Sequence, residues 1–190
     1  MRNKVRIIGG HWRGRLLTFA TVPGLRPTPD RVRETVFNWL NFDLPGSHCL
    51  DLFAGSGALG FEAASRGAAS VSLVESHPEQ LTHLRANAER LAATGVAIHA
   101  GEALAFLAQA KAPFDIVFVD PPYAAGLLPE VLQALTGQGC LQPLAKIYFE
   151  LPKRDVLPVM PKTLQLIKQQ RAGQIHYYLW QYQPDAPDQP

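Results

Sequence analysis

The chain is 190 residues long, 47% apolar and 18% charged, with a net charge of +2 and two cysteines. At this size folding removes roughly 70% of the unfolded chain's surface from water, so one domain with a full core is expected. The same figures exclude disordered and collagen-like chains, no apolar run is long enough to span a membrane, and two cysteines make no disulfide framework.

The first residues are charged and lead into Gly9-Gly10-His11, not an apolar stretch, so they do not read as a secretory signal. Cys49 and Cys140 lie in apolar surroundings and read as buried, reduced thiols of a cytoplasmic protein. The charge is unevenly distributed. Residues 1–33 hold eight basic groups and one acid, for +7, whereas the remainder is −5. This asymmetry predicts a basic arm that meets a polyanion. Arg6, Arg13, Arg15, Arg26, Arg31 and Arg33 are candidates for phosphate contacts. Trp12 offers a stacking surface, and Gly9, Gly10 and Gly14 allow close backbone approach, a combination that suits RNA.

Thr28 reads as a helix N-cap with Pro29 at the first helical position. Val32, Val36, Phe37 and Leu40 form one apolar face, with Arg31 and Arg33 pointing elsewhere, and Pro45-Gly46 ends the helix. Residues 48–53, 70–75, 96–99, 114–120 and 146–151 read as buried strands. Helical stretches fall between them, near 58–66, 78–93, 102–110 and 127–136; Leu81, Leu84, Ala88 and Leu91 line one face of the second. Such alternation implies right-handed crossovers and a parallel sheet covered on both faces. Residues 163–169 and 174–182 alternate apolar and polar around Arg171-Ala172-Gly173, the pattern of an antiparallel hairpin at the sheet edge. The expected division is a basic arm and helix over 1–45, an α/β body over 46–183 and a frayed tail over 184–190.

Gly55, Gly57 and Gly60 fit G-x-G-x-x-G between a strand and a helix, and Glu75 ends the next strand 20 residues past Gly55. That context predicts a nucleotide site, with Glu75 accepting the ribose hydroxyls. Asp51, four residues before Gly55, would repel a pyrophosphate but would welcome an ammonium. S-adenosylmethionine carries an ammonium, a sulfonium and a ribose diol and no phosphate, so electrostatics favour it over NAD. The second constellation is Asp120-Pro121-Pro122-Tyr123, directly after the fourth strand and facing the same crevice. Asp120 and the carbonyls around the two prolines accept hydrogen bonds, and Tyr123 offers a flat face for a base. Two acceptors holding the hydrogens of an exocyclic amine would localise its lone pair and aim it at a methyl group. The six histidines show no ligand spacing with cysteines or acids, so no metal site is expected.

These motifs resemble class I S-adenosylmethionine-dependent amino-methyltransferases. Arg6-Ile7-Ile8-Gly9-Gly10 with Trp12-Arg13-Gly14-Arg15, and the run from Arg26 to Glu34, look more narrowly like the RsmD family, over roughly residues 4–182. The resemblance implies a Rossmann-like fold with a mostly parallel seven-stranded sheet, a C-terminal antiparallel hairpin, helices on both faces and a basic N-terminal extension. It implies methyl transfer from S-adenosylmethionine to N2 of one guanine in bacterial small-subunit (16S) ribosomal RNA, free or within an assembling or assembled subunit. Nothing in the sequence demands a partner subunit, so a cytoplasmic monomer is expected. Asp51, Phe53, Ala54, Gly55, Ser56 and Gly57 would bracket the methionine part and Glu75 the ribose. Asp120, Pro121, Pro122 and Tyr123 would handle the guanine. In Gly101-Glu102-Ala103, Glu102 is either the contact to the adenine amino group, with Ala103 beside it, or an ordinary helix-start glutamate.

Three other readings fit parts of the pattern. A DNA adenine-N6 or cytosine-N4 methyltransferase uses a similar Pro-Pro-aromatic motif, but this chain leaves no separate domain to read a duplex and flip a base. A nicotinamide-dependent oxidoreductase fits the glycines and not Asp51 or Asp120. A non-catalytic RNA-binding module leaves the carboxylate-lined crevice without purpose.

Overall fold

A computed structural model describes residues 3–22, 27–110, 112–121 and 126–184 of the chain. Its centre is a seven-stranded sheet built from β3 (His48–Asp51), β4 (Ser70–Glu75), β5 (Val96–Ala100), β6 (Phe114–Val119), β7 (Leu141–Pro152), β8 (Leu164–Ala172) and β9 (Ile175–Tyr182), in the order β5-β4-β3-β6-β7-β9-β8. The first five strands of that order run parallel, and β9 pairs antiparallel with both β7 and β8. This is the expected mostly parallel sheet with an antiparallel C-terminal pair. The chain reverses its direction of travel between β3 and β6, which makes that gap the switch point where ligands sit in open α/β sheets.

Side chains alternate across each strand, and the two faces gather two cores. One core packs Cys49, Leu73, Phe118 and Tyr148 under helices α1 (Asp30–Trp39), α2 (Ala58–Ser65) and α3 (Pro78–Leu91). The other packs Leu50, Val74, Val117 and Phe149 under α4 (Ala103–Leu107) and α5 (Leu128–Gly137). Both cysteines are buried and free, and burial pushes the Cys49 thiol up to about 12, so it stays neutral. Among the described residues, no helix is long and apolar enough to cross a membrane.

The N-terminal segment differs from a simple basic arm. It forms a two-stranded hairpin of β1 (Lys4–Arg6) and β2 (Leu16–Thr18), unanticipated because each strand is three residues long and contributes one buried side chain. Ile7 and Leu17 are fully buried in the core beneath α1 and α2. The loop between the strands is fastened to α2: both oxygens of Glu62 accept backbone N–H groups, from Ile8 at 2.8 Å and Gly9 at 2.7 Å. Ser65 continues the attachment, its carbonyl accepting the His11 N–H at 2.7 Å and its hydroxyl the Trp12 N–H at 2.8 Å. At Gly10, φ is +73° and a Cβ would lie 1.9 Å from the Ser65 carbonyl oxygen. The closeness that this glycine permits is therefore to α2.

Arg33 corrects the reading of α1. Its side chain is fully buried, with Nη2 2.6 Å from Asp30 and donating to the Arg6 carbonyl at 2.8 Å, and Nη1 3.5 Å from Glu62. A guanidinium needs such partners to leave water, and here Nη2 finds hydrogen bonds in the hairpin and its own helix while Nη1 has the Glu62 ion pair and no hydrogen bond. It is a tie among three elements and has no surface to offer RNA. The α1 boundary also shifts: Pro29 occupies the N-cap position and its carbonyl accepts the Val32 and Arg33 N–H groups. The helix ends at Trp39, ahead of Pro45-Gly46. The 185–190 part of the tail lies outside the described residues.

Candidate functional site

Strand register sets the crevice. Asp51, the last residue of β3, stands opposite Leu73 on β4 and Phe118 on β6. Glu75 and Asp120 each lie two residues further along, at the carboxyl ends of the strands flanking β3. Three acids thus meet at the switch point, and each belongs to the face that carries α1, α2 and α3.

Asp51 is buried, and its Oδ2 accepts the Gly60 N–H at 3.1 Å. Its Oδ1 is buried with no hydrogen-bond partner. Burial pushes the carboxyl up to about 7, against the opposing Gly60 and Phe53 amides, and the nearby Glu75 charge adds to the rise. An acid held in that state gains from a cation that approaches Oδ1. Gly60 brings α2 onto the sheet at this point, since a Cβ there would lie 2.1 Å from Leu73 Cδ2. The third glycine of the motif therefore serves helix–strand packing, as in nucleotide-binding folds.

Glu75 is half-buried and firmly held. Oε2 accepts the Gly55 N–H at 2.8 Å and Oε1 the His77 N–H at 2.8 Å. Each oxygen keeps a lone pair, so the carboxylate is oriented in advance for a pair of hydroxyl donors. Ala54 and Ser56 are buried and Phe53 is half-buried in the same turn; the Ser56 hydroxyl accepts the Ala58 N–H at 3.3 Å. Glu102 is exposed at the start of α4, with its carbonyl accepting the Phe106 N–H at 3.0 Å, while Ala103 is buried.

Asp120 is half-buried and Pro121 buried; Pro122 and Tyr123 lie outside the described residues. Burial, then the charges of Glu150 and Asp51, push the Asp120 carboxyl well above the usual carboxylate range. Glu150, on β7, was missed by sequence reasoning. It is 3% exposed, and its Oε1 accepts hydrogen bonds from the Thr28 hydroxyl at 2.8 Å and the Tyr148 hydroxyl at 2.7 Å. The signal for it was a lone acid inside the apolar run Ile147-Tyr148-Phe149-Glu150-Leu151. Thr28, expected to cap α1, spends its hydroxyl on this carboxylate.

Of the residues expected to meet RNA, Arg6, Arg13, Arg15 and Arg31 are exposed and Trp12 is half-buried. Arg26 lies outside the described residues, and Arg33 is the buried tie described above. Arg6 faces Asp30 at 3.5 Å, both largely exposed, an arrangement worth little in water. A cleft of about 390 Å³ opens between the hairpin and α1, lined by Lys4, Arg6, Phe19, Thr28 and Asp30 among others. Thr28, on the wall of this cleft, is the residue whose hydroxyl donates to Glu150. Among the described residues, no cluster of His, Cys, Asp and Glu is arranged to hold a metal ion.

A family model described as Conserved hypothetical protein 95 matches residues 5–181. The chain is 47% identical over 178 residues to the ribosomal RNA small subunit methyltransferase D of Escherichia coli K12, covering 94% of this chain and 90% of that one. It is 40% identical over 184 residues to the protein of the same name from Haemophilus influenzae, covering 95% of each. Among solved structures, a putative methyltransferase from Escherichia coli, yhhF, superposes with a TM-score of 0.88 at 44% identity, covering 96% of this chain and 99% of the other.

Proposed function

Because the chain belongs to the Conserved hypothetical protein 95 family, alongside relatives named ribosomal RNA small subunit methyltransferase D, we propose that it transfers a methyl group from S-adenosylmethionine to the N2 amine of a guanine in small-subunit ribosomal RNA. The observation that carries this reading is the row of Asp51, Glu75 and Asp120 at the switch point beside the glycine turn. Asp51 Oδ1, buried and without a partner, fits an ammonium group. Glu75, tied to Gly55 and His77, fits a ribose diol. The cofactor supplies an electrophilic methyl group on a sulfonium.

In this reading Asp120 and the Pro121 carbonyl accept the two hydrogens of the guanine amine, and Tyr123 stacks on the ring. Holding both hydrogens frees the nitrogen lone pair from conjugation and points it toward the donor. Positive charge grows on that nitrogen as the bond forms, so the attraction of Asp120 strengthens in the transition state, the condition for rate acceleration. Positioning contributes the remainder, with reacting atoms held near 3 Å. An Asp120 carboxyl with raised proton affinity is suited to take the proton that the methylated amine then sheds. The exposed Arg6, Arg13, Arg15 and Arg31 supply phosphate contacts, with ribosomal RNA, free or in a ribonucleoprotein particle, as the partner.

The test is transfer of labelled methyl from S-adenosylmethionine into small-subunit ribosomal RNA, followed by nucleoside analysis. N2-methylguanosine is the expected product. Label in any other nucleoside, or none at all, overturns the reading.

A further inference from the structure

Glu150 stands on the strand beside Asp120. The β6–β7 register pairs Val119 with Phe149, so the next residue of each strand brings the two acids to one end of the sheet. Like charges at close range in a partly dry site disfavour one another, and among the described residues no cation pairs with Glu150. Its two hydroxyl donors both fall on Oε1, which fixes the plane of the carboxylate and leaves Oε2 outside that pair of bonds. Two adjacent acceptor groups call for a ligand with adjacent donors. Guanine presents them, N1–H beside the N2 amine. Adenine and cytosine each place an acceptor nitrogen next to their exocyclic amine.

We propose that Glu150 determines the choice of base, with Oε2 accepting the N1–H of the guanine whose N2 amine is held at Asp120. The inference rests on the methyltransferase reading above and adds the group that reads the ring. Thr28 is then a positioning residue, since its hydroxyl holds Oε1 while lining the cleft beside the N-terminal hairpin.

The experiment uses the full chain and small-subunit RNA in which the mapped target guanine is replaced by 2-aminopurine, which keeps the amine but has an acceptor at N1. A site with a buried acceptor aimed at N1–H rejects that analogue, by at least about 100-fold in single-turnover rate. In Glu150→Gln the Thr28 and Tyr148 hydroxyls still select the amide oxygen, which turns the amide NH2 toward the base. Transfer to guanine then falls and the guanine to 2-aminopurine ratio shrinks by at least about tenfold, with S-adenosylmethionine affinity retained. Equal ratios in the two enzymes overturn the proposal, because a merely structural role slows both substrates alike. Should Glu150→Gln not fold, the unmodified enzyme decides on RNA carrying 1-methylguanine, which keeps the amine and O6 but lacks N1–H. Loss of transfer supports the proposal, and transfer at the guanine rate overturns it. No transfer to the unmodified guanine RNA refutes the methyltransferase reading itself, and this inference with it.

Discussion

Glu75 Oε2 accepts the Gly55 N–H at 2.8 Å, so the acid at the end of β4 is anchored to the glycine turn after β3. The 20-residue spacing in the sequence is the length of one helix and one strand, which returns the chain to the neighbouring strand end. The bond also ties the proposed ribose acceptor to the turn proposed to cradle the methionine part.

Glu75→Ala is therefore expected to weaken S-adenosylmethionine binding by about 1–3 kcal/mol, since it removes an acceptor from a partly dry pocket and releases the turn. Glu75→Gln keeps an oxygen for one amide and falls between. Calorimetric affinities of the two variants test this, and an unchanged affinity in Glu75→Ala removes the residue from the site.

The raised Asp51 carboxyl gives a pH signature. In the folded protein it titrates at about 7, above its ordinary value of 3.8, so the folded state holds more protons than the unfolded state between those limits. Stability of the free protein consequently falls as pH rises through that window, by up to about 4 kcal/mol from this group. Asp51→Asn removes that slope, measured by denaturant unfolding at pH 5 and pH 8. An approaching ammonium favours the ionised form, so cofactor binding near pH 7 releases protons. Calorimetry in buffers of different ionisation enthalpy reads that release, which Asp51→Asn abolishes.

The placement of the crevice residues was legible because its signals are local. Gly55 and Gly57 lie in the turn after β3 and Gly60 in the first turn of α2, Asp120 directly follows a strand, and both patterns depend on neighbours within a few residues. Arg33 was not legible. Its burial depends on Glu62 and on the Arg6 carbonyl, partners that only the tertiary fold brings to it. The hairpin was hidden for a similar reason: three-residue strands carry almost no period, and Ile7 and Leu17 are drawn inside by α1 and α2. Glu150 combines both cases, since Thr28 reaches it from 122 residues away in sequence.

Separating the arginines tests the division between structure and binding. Glu62→Ala strips a fully buried guanidinium of a partner and removes the acceptor of the Ile8 and Gly9 amides, so a loss of about 3–5 kcal/mol is expected in denaturant unfolding. Arg13→Gln with Arg15→Gln, both exposed, leaves stability within about 0.5 kcal/mol. That pair instead lowers RNA affinity and flattens its salt dependence, by roughly 0.7–0.9 in log–log slope for each phosphate no longer neutralised. An unaltered slope makes these side chains a solvated face.

Asp120 carries the last prediction. Asp120→Ala removes the proposed acceptor for the guanine amine and, with it, a charge that would gain attraction as the nitrogen becomes cationic, so the single-turnover rate is expected to drop by about 100-fold or more. Asp120→Asn keeps an acceptor oxygen and loses the charge, and its rate falls between the two. Cofactor affinity changes little in either, which separates this residue from Asp51 and Glu75. The pH profile adds an independent readout. Burial and the neighbouring charges of Glu150 and Asp51 raise the Asp120 carboxyl, so the neutral form persists to higher pH than for an ordinary carboxylate. As pH falls the group takes up a proton, its attraction for the developing cation is lost, and the rate declines at pH values where exposed acids are still ionised. Asp120→Asn has no such group to titrate and loses that acid limb. A variant that keeps the limb unchanged assigns it to another acid, and Asp120→Ala within a few-fold of the unmodified rate removes Asp120 from the chemistry.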